Sequence, residues 1–208
     1  MCMGSIMDNK ALYNIGYGLY VLTAKDGEKD NGCITNTLMQ VSSNPLKAVI
    51  AVNKQNFTHD MIMKTKEFNI SMLTEDAPFA VYRHFGFFSG RKTNKFGVID
   101  YAKRAENGIK YIDEQYANAY LSCKVTDTAD FGTHTLFTAE IIDGKVLSDK
   151  PSATYSYYQK NVKPKKTAPA KAKGWQCKIC GYIYEGEELP KDFVCPICKH
   201  GASDFEKL

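Results

Sequence analysis

The feature that most limits what this chain can fold into is a set of four cysteines crowded near its C-terminus. Cys177-Lys178-Ile179-Cys180 and Cys195-Pro196-Ile197-Cys198 are two C-x-x-C turns. A turn of that spacing lets both sulfurs reach one metal ion. Two such turns close a tetrahedral all-thiolate site, which suits zinc or iron. The other cysteines, Cys2, Cys33 and Cys123, are scattered through the long N-terminal part. An odd total of seven, with no basic segment followed by an apolar stretch at the start, argues against a secreted disulfide framework. The expected setting is cytoplasmic, with the tail cysteines Cys177, Cys180, Cys195 and Cys198 as metal ligands.

Charge and composition place the boundary in front of this tail. Residues 163–174 are rich in Lys, Pro and Ala and hold no large apolar side chain. Like charges and prolines keep such a stretch extended. Residues 1–159 carry no net charge, residues 160–174 carry +6 and residues 175–208 carry −2, so the chain's excess of +4 arises in the linker. No aromatic residue interleaves with those lysines and no nucleic-acid fold motif accompanies them. A solvated linker is therefore expected rather than a nucleic-acid site. The predicted organisation is a first domain over 1–159, a linker over 160–174 and a small metal module over 175–208.

The first domain reads as mainly β with short helices, an α+β pattern. Asp8 is placed to cap a short helix over 9–15. Residues 17–24, 33–37, 48–53, 68–73, 120–126 and 133–142 have strand character, with turn signals at Asp26-Gly27 and Asp143-Gly144. A helix over 58–66 capped by Thr58, and a second over 79–85 after Pro78, complete the reading. Many strands with few short helices predict a β-barrel decorated by helices. No apolar run approaches the ~20 residues of a membrane helix. With no G-x-G-x-x-G and no Walker loop, a Rossmann unit is unsupported, and a nucleotide-like cofactor would need another scaffold.

The run from Gly32 to Pro45 sets hydroxyls and amides between apolar residues. Small donors with backbone N–H groups can cradle a phosphate, and the same residues also build ordinary turns. Arg91 offers a guanidinium fork for phosphate oxygens or a plain surface cation. His134 and His84 are open between a site role and a structural one, His59 and His200 read as surface residues, and Cys33 reads as a buried thiol acting as a small apolar group.

Two resemblances narrow these alternatives. The segment from Trp175 to Tyr184, followed by Phe193-Val194-Cys195-Pro196-Ile197-Cys198, resembles rubredoxin. Its inter-knuckle gap is shorter than in free-standing rubredoxins and is similar to the rubredoxin-like tails of rubrerythrins. That resemblance implies one iron on the four cysteines, beside an aromatic core of Trp175, Tyr182, Tyr184, Phe193 and Phe205. The Gly32–Pro45 run, with residues 48–54 and 57–60, resembles the flavin reductase-like split-barrel family. So do residues 84–91 with Lys95-Phe96, and residues 132–137 with Glu140. The family binds FMN or FAD at a barrel edge, usually as a homodimer. Carried over, Thr35, Asn36 and Thr37 meet the phosphate and ribityl chain, assisted by Gln40 and Ser42. Asn53 and Lys54 line the isoalloxazine, Ser89 and Arg91 reach the phosphate, and His134 lies near the nicotinamide as the catalytic candidate.

The two together resemble flavin reductase–rubredoxin fusions. What this implies is an NAD(P)H-dependent oxidoreductase passing electrons through bound FMN to the iron, and on to an acceptor such as a flavodiiron protein. The alternative is a flavin reductase that releases reduced flavin, with a structural zinc- or iron-binding tail.

Overall fold

The computed structural model describes residues 8–164, 174–178, 182–195 and 201–208. Nine strands and two helices build the N-terminal part: β1 Tyr20–Asp26, β2 Lys29–Thr35, β3 Met39–Ser43, β4 Leu46–Asn53, β5 Glu67–Leu73, β6 Ala102–Arg104, β7 Lys110–Ile112, β8 Ala117–Asp130 and β9 His134–Val146, with α1 Phe57–Thr65 and α2 Phe79–Phe87. Seven of these strands form one antiparallel sheet in the order β2-β1-β5-β8-β9-β4-β3, and β6 pairs with β7.

The sheet rolls up because both of its faces are apolar. Side chains alternate across a strand, and β1 shows the consequence. Val21 enters a core with Leu73, Val81, Phe85 and Ile112, while Leu22 enters another with Ile50, Phe68, Ile70 and Phe137. The second core joins β2, through Cys33, to β4, through Ile50 and Val52, although these strands stand far apart in the hydrogen-bonded order. The segment between β2 and β3 closes that gap. Thr37 Oγ1 donates to the Ala51 carbonyl at 2.7 Å and accepts from the Ala51 N–H at 3.2 Å. The product is the predicted mainly β barrel with short helices, α1 contributing Met61 and Ile62 to its interior.

Several elements differ from the sequence expectation, each for a local reason. The α1 helix begins at Phe57 behind an extended Asn56, and Thr58 is not its cap. Thr58 is buried within the first turn, where its hydroxyl accepts from Asn31 Nδ2 at 2.9 Å. Strand β9 runs through Asp143-Gly144 instead of ending there. Gly144 pairs with Leu121, and a Cβ at 144 would stand 2.7 Å from Leu121 Cδ2, so this glycine serves close strand packing rather than a turn. The expected turn at Asp26-Gly27 is present, with Gly27 at φ +57° in the β1–β2 hairpin. Strands β3, β6 and β7, and the helical turns over Tyr155–Tyr157 and Tyr158–Val162, had no recognised sequence signal. The helix expected over 9–15 is a 3-10 turn over Asn9–Asn14.

In the tail, β10 Trp175–Cys177, β11 Ile183–Tyr184 and β12 Phe205–Lys207 form a three-stranded antiparallel sheet in the order β11-β10-β12. No helix among the described residues is long and apolar enough to cross a membrane.

Candidate functional site: a barrel pocket and a buried thiol cluster

A pocket of about 960 Å³ opens between the β2 bend, the start of α1 and the loop after α2. Asn31, Cys33, Asn56, Thr58, Ser89 and Lys95 supply most of its polar lining, and Phe57, Phe85, Phe87 and Phe88 the apolar part. Lys95 is only 2% exposed. Its ammonium donates to the Gly32 carbonyl at 2.7 Å and to the Phe85 carbonyl at 2.9 Å, tying β2 to the end of α2. Burial pulls its pKa from 10.5 down to about 8, against a smaller opposing effect of Cys33. Burial likewise pushes the Cys33 thiol up, the Thr58 hydroxyl and the Lys95 charge opposing it. The sequence reading of Cys33 as a buried thiol agrees with this, and Asn56 Nδ2 sits 3.7 Å from its sulfur.

The pocket has the character of a cradle awaiting a polar ligand. Asn31 is 2% exposed, its amide nitrogen is used on Thr58, and its oxygen has no hydrogen-bond partner among the described residues. A buried acceptor left so is costly unless something else meets it. Gly90 lies against that same oxygen so closely that any Cβ there would collide with it. The pocket's size and mixed lining suit an aromatic ring system carrying a polar chain, so the residues present fit a flavin.

The residues singled out from sequence divide into four places. Ser89 lines the pocket, and its hydroxyl accepts from the Arg91 N–H at 3.3 Å. Arg91 turns to Asp60, with Nη2 2.6 Å from Oδ2, and stands 5.0 Å from the Phe57 ring. That guanidinium holds the Asp60 carboxyl below the usual carboxylate range. Thr35, Asn36 and Thr37 cluster at the barrel closure, Thr35 Oγ1 lying 3.3 Å from Thr37 Oγ1. Asn53 faces His134 across the β4–β9 pair, and Lys54 bonds both carboxylate oxygens of Asp130 at 2.7 Å. His134 Nδ1 is 2.9 Å from Thr133 Oγ1. Gln40 and Ser42 lie on the exposed edge strand β3, where Gln40 Nε2 reaches the Ser42 carbonyl at 3.4 Å.

The histidines need one correction. His59 is not a surface residue. It is 7% exposed, with Nε2 2.9 Å from Thr135 Oγ1 and Nδ1 3.2 Å from Asp60. One helical turn over Phe57–Asp60 sends His59 inward and Asp60 outward, which no local pattern announces. His84 lines the pocket with its Nε2 2.7 Å from the Lys95 carbonyl. His200 lies outside the described residues. Sequence reasoning did not assign Asn31, Asn56 or Lys95 to the site, because a lysine and two asparagines look like surface residues until the backbone folds over them.

In the tail, Cys177 and Cys195, one from each knuckle, are both fully buried in a single cluster with Phe205. Trp175, Tyr182, Tyr184 and Phe193 pack around them, as the resemblance implied. Phe193 contacts Phe205 edge-on at 5.3 Å and Tyr184 at 4.7 Å. Cys180 and Cys198 lie outside the described residues. Two buried thiols in one aromatic-lined cluster fit a thiolate-bound metal.

Comparison with known proteins agrees with this geometry. The family model described as flavin reductase like domain matches residues 12–166, and that described as rubrerythrin, rubredoxin-like domain matches residues 175–206. The chain belongs to the flavin reductase-like family and carries a rubredoxin-like domain at its C-terminus. It is 37% identical to the high molecular weight rubredoxin of Moorella thermoacetica over 97% of this chain and 100% of that one. It is 36% identical to the ferric-chelate reductase (NAD(P)H) of Archaeoglobus fulgidus, over 73% of this chain and 89% of that protein. The fold matches the NADH:FAD oxidoreductase SgcE6 of Streptomyces globisporus C-1027 with TM-score 0.62 at 23% identity, covering 72% of this chain and 91% of that one. The protein is a flavoprotein oxidoreductase of electron-transfer type, with a flavin-binding barrel and an iron-binding module implied by its two domains.

Proposed function

We propose that this protein takes electrons from NAD(P)H into FMN held by the barrel, and passes them to one iron bound by Cys177, Cys180, Cys195 and Cys198. A redox protein of flavodiiron type then collects them. The observation carrying this reading is one chain that pairs a pocket with an orphan buried acceptor and a buried cation, at Asn31 and Lys95, with two thiols buried in one cluster, at Cys177 and Cys195. A bound flavin supplies the conversion of a hydride pair into single electrons. The chain's residues place it and keep water away.

Ser89, with Asn56 and Thr58, offers donors to the phosphate end, and Arg91 joins them by exchanging Asp60 for phosphate oxygens. Thr35, Asn36 and Thr37 serve the ribityl chain from the barrel closure, assisted by Gln40 and Ser42. Asn53 and Lys54 border the isoalloxazine, and His134 stands where a nicotinamide approaches. Met39 and Val41 of β3 and Leu46 at the start of β4 are exposed, an apolar strip at the sheet edge that supports a homodimer in which a second copy covers it.

The test is the visible spectrum of purified protein with metal analysis and flavin extraction. A red iron–thiolate absorbance, one iron per chain, and FMN released on denaturation are expected. NAD(P)H should bleach the flavin first and the iron afterwards. Stoichiometric zinc after iron-replete expression, or a folded protein without flavin, overturns the reading.

A further inference from the structure

The thiol cluster does not end within its own module. Phe87, the last residue of α2, packs against the group built on Cys177, Cys195 and Phe205. Val194, the residue before Cys195, lines the barrel pocket together with Phe87, Phe88 and Ser89. One side chain thus borders both the cavity that fits a flavin and a thiol that fits the metal. Val194 is half-exposed and stands outside the module's buried cluster, at the rim of the cavity.

Charge supports the same seating. The module has four lysines against six acidic residues. The barrel side presents Lys92 in the pocket wall and Arg83, whose guanidinium carbon lies 5.7 Å from the Phe88 ring. An acidic module meeting a basic rim around an apolar centre is the pattern of a steered, repeatedly formed contact.

We propose that the end of α2, Phe87-Phe88, is the docking face for the chain's own metal module, and that Val194 marks the exit by which electrons leave the pocket for the Cys195 sulfur. This rests on the function proposed above. Per docking event one electron leaves reduced flavin and one arrives at ferric iron, which becomes ferrous, while the proton released from the flavin passes to solvent. Because such transfer weakens steeply with distance, the contact sets the rate.

The experiment uses full-length protein with both cofactors bound, in wild-type, Val194→Asp and Phe87→Ser forms. Val194→Asp sets a new carboxylate in the apolar contact without touching the buried cluster. It should leave the iron absorbance unchanged and, at matched flavin occupancy, slow single-turnover iron reduction at least tenfold. Hydrogen exchange of the 84–90 amides should rise in the same variant, a readout that needs no turnover. Wild-type rates together with wild-type exchange in both variants overturn the docking face. If wild-type protein reduces its flavin but never its iron, the proposed function fails instead. The exchange comparison then decides the contact by itself, unchanged protection in Val194→Asp overturning it.

Discussion

At the scale of single residues, Lys95 is the side chain whose place in the fold departs furthest from its type. An ammonium 2% exposed, held by two carbonyls and no carboxylate, carries a large desolvation cost. Its folded-state pKa is about 8, against 10.5 when unfolded. Between those values the unfolded chain binds more protons than the folded one, so stability rises with pH there. Below about pH 8 both states hold the proton and the folded state bears the full cost. Lys95→Met cannot titrate. Urea unfolding of flavin-free protein should show wild type gaining roughly 3 kcal/mol on the variant between pH 8 and 10.5. A difference flat in pH would remove the buried-charge account. At Cys195, replacement by Ser should abolish the red absorbance and leave the flavin bound, read directly from the spectrum. Loss of both cofactors would mean that the module and the barrel do not bind their groups independently.

At the scale of elements, the instructive piece is the stretch between β2 and β3. Its hydroxyls and amides were legible as a special segment, and the family resemblance pointed them at a phosphate. In the fold, Thr37 spends its hydroxyl on the Ala51 backbone and closes the barrel. Thr37→Val keeps the shape and removes both bonds. It should cost about 1–3 kcal/mol, seen as a lower unfolding midpoint, and weaken flavin retention through the displaced segment. An unchanged midpoint would show that the closure does not depend on this hydroxyl. The strands found from sequence, such as β1, β4 and β5, have continuous or alternating apolar patterns. Strand β3 has an exposed, mixed pattern because it forms a sheet edge, and β6 and β7 are three residues each. Such elements owe their existence to a neighbour rather than to their own periodicity.

At the scale of the whole molecule, the question is what the tether does. A linker converts the meeting of pocket and module into an intramolecular event, at an effective concentration on the order of millimolar. Cutting the chain near Ala168 should leave both cofactors bound and the flavin still reducible. Iron reduction should then depend on protein concentration, and added salt should slow it further, because the acidic module must find the basic rim by diffusion. Stopped-flow reduction over a range of dilutions measures this. Concentration-independent iron reduction by fragments shown to be dissociated would rule out tether-dependent transfer.

Much of this protein could be read from its residues alone, for physical reasons. Metal knuckles are local, since two cysteines in one turn need only each other and a second pair, so Cys177 and Cys195 could be assigned from spacing. The structure buries both in one cluster. The barrel class was equally local, resting on strand patterning, while residues 165–173 of the expected linker lie outside the described residues. The pocket was not local. Asn31, Asn56 and Lys95 lie on different elements, and their burial exists only once the sheet rolls and the loop after α2 folds back across it. The same holds for His59, turned inward by one helical turn onto Thr135 of β9, and for Val194, which shares the pocket lining with Phe87 of α2 although the two are far apart in sequence. Local chemistry determined which groups the chain can offer; only the long-range closure of the backbone decided which of them face each other.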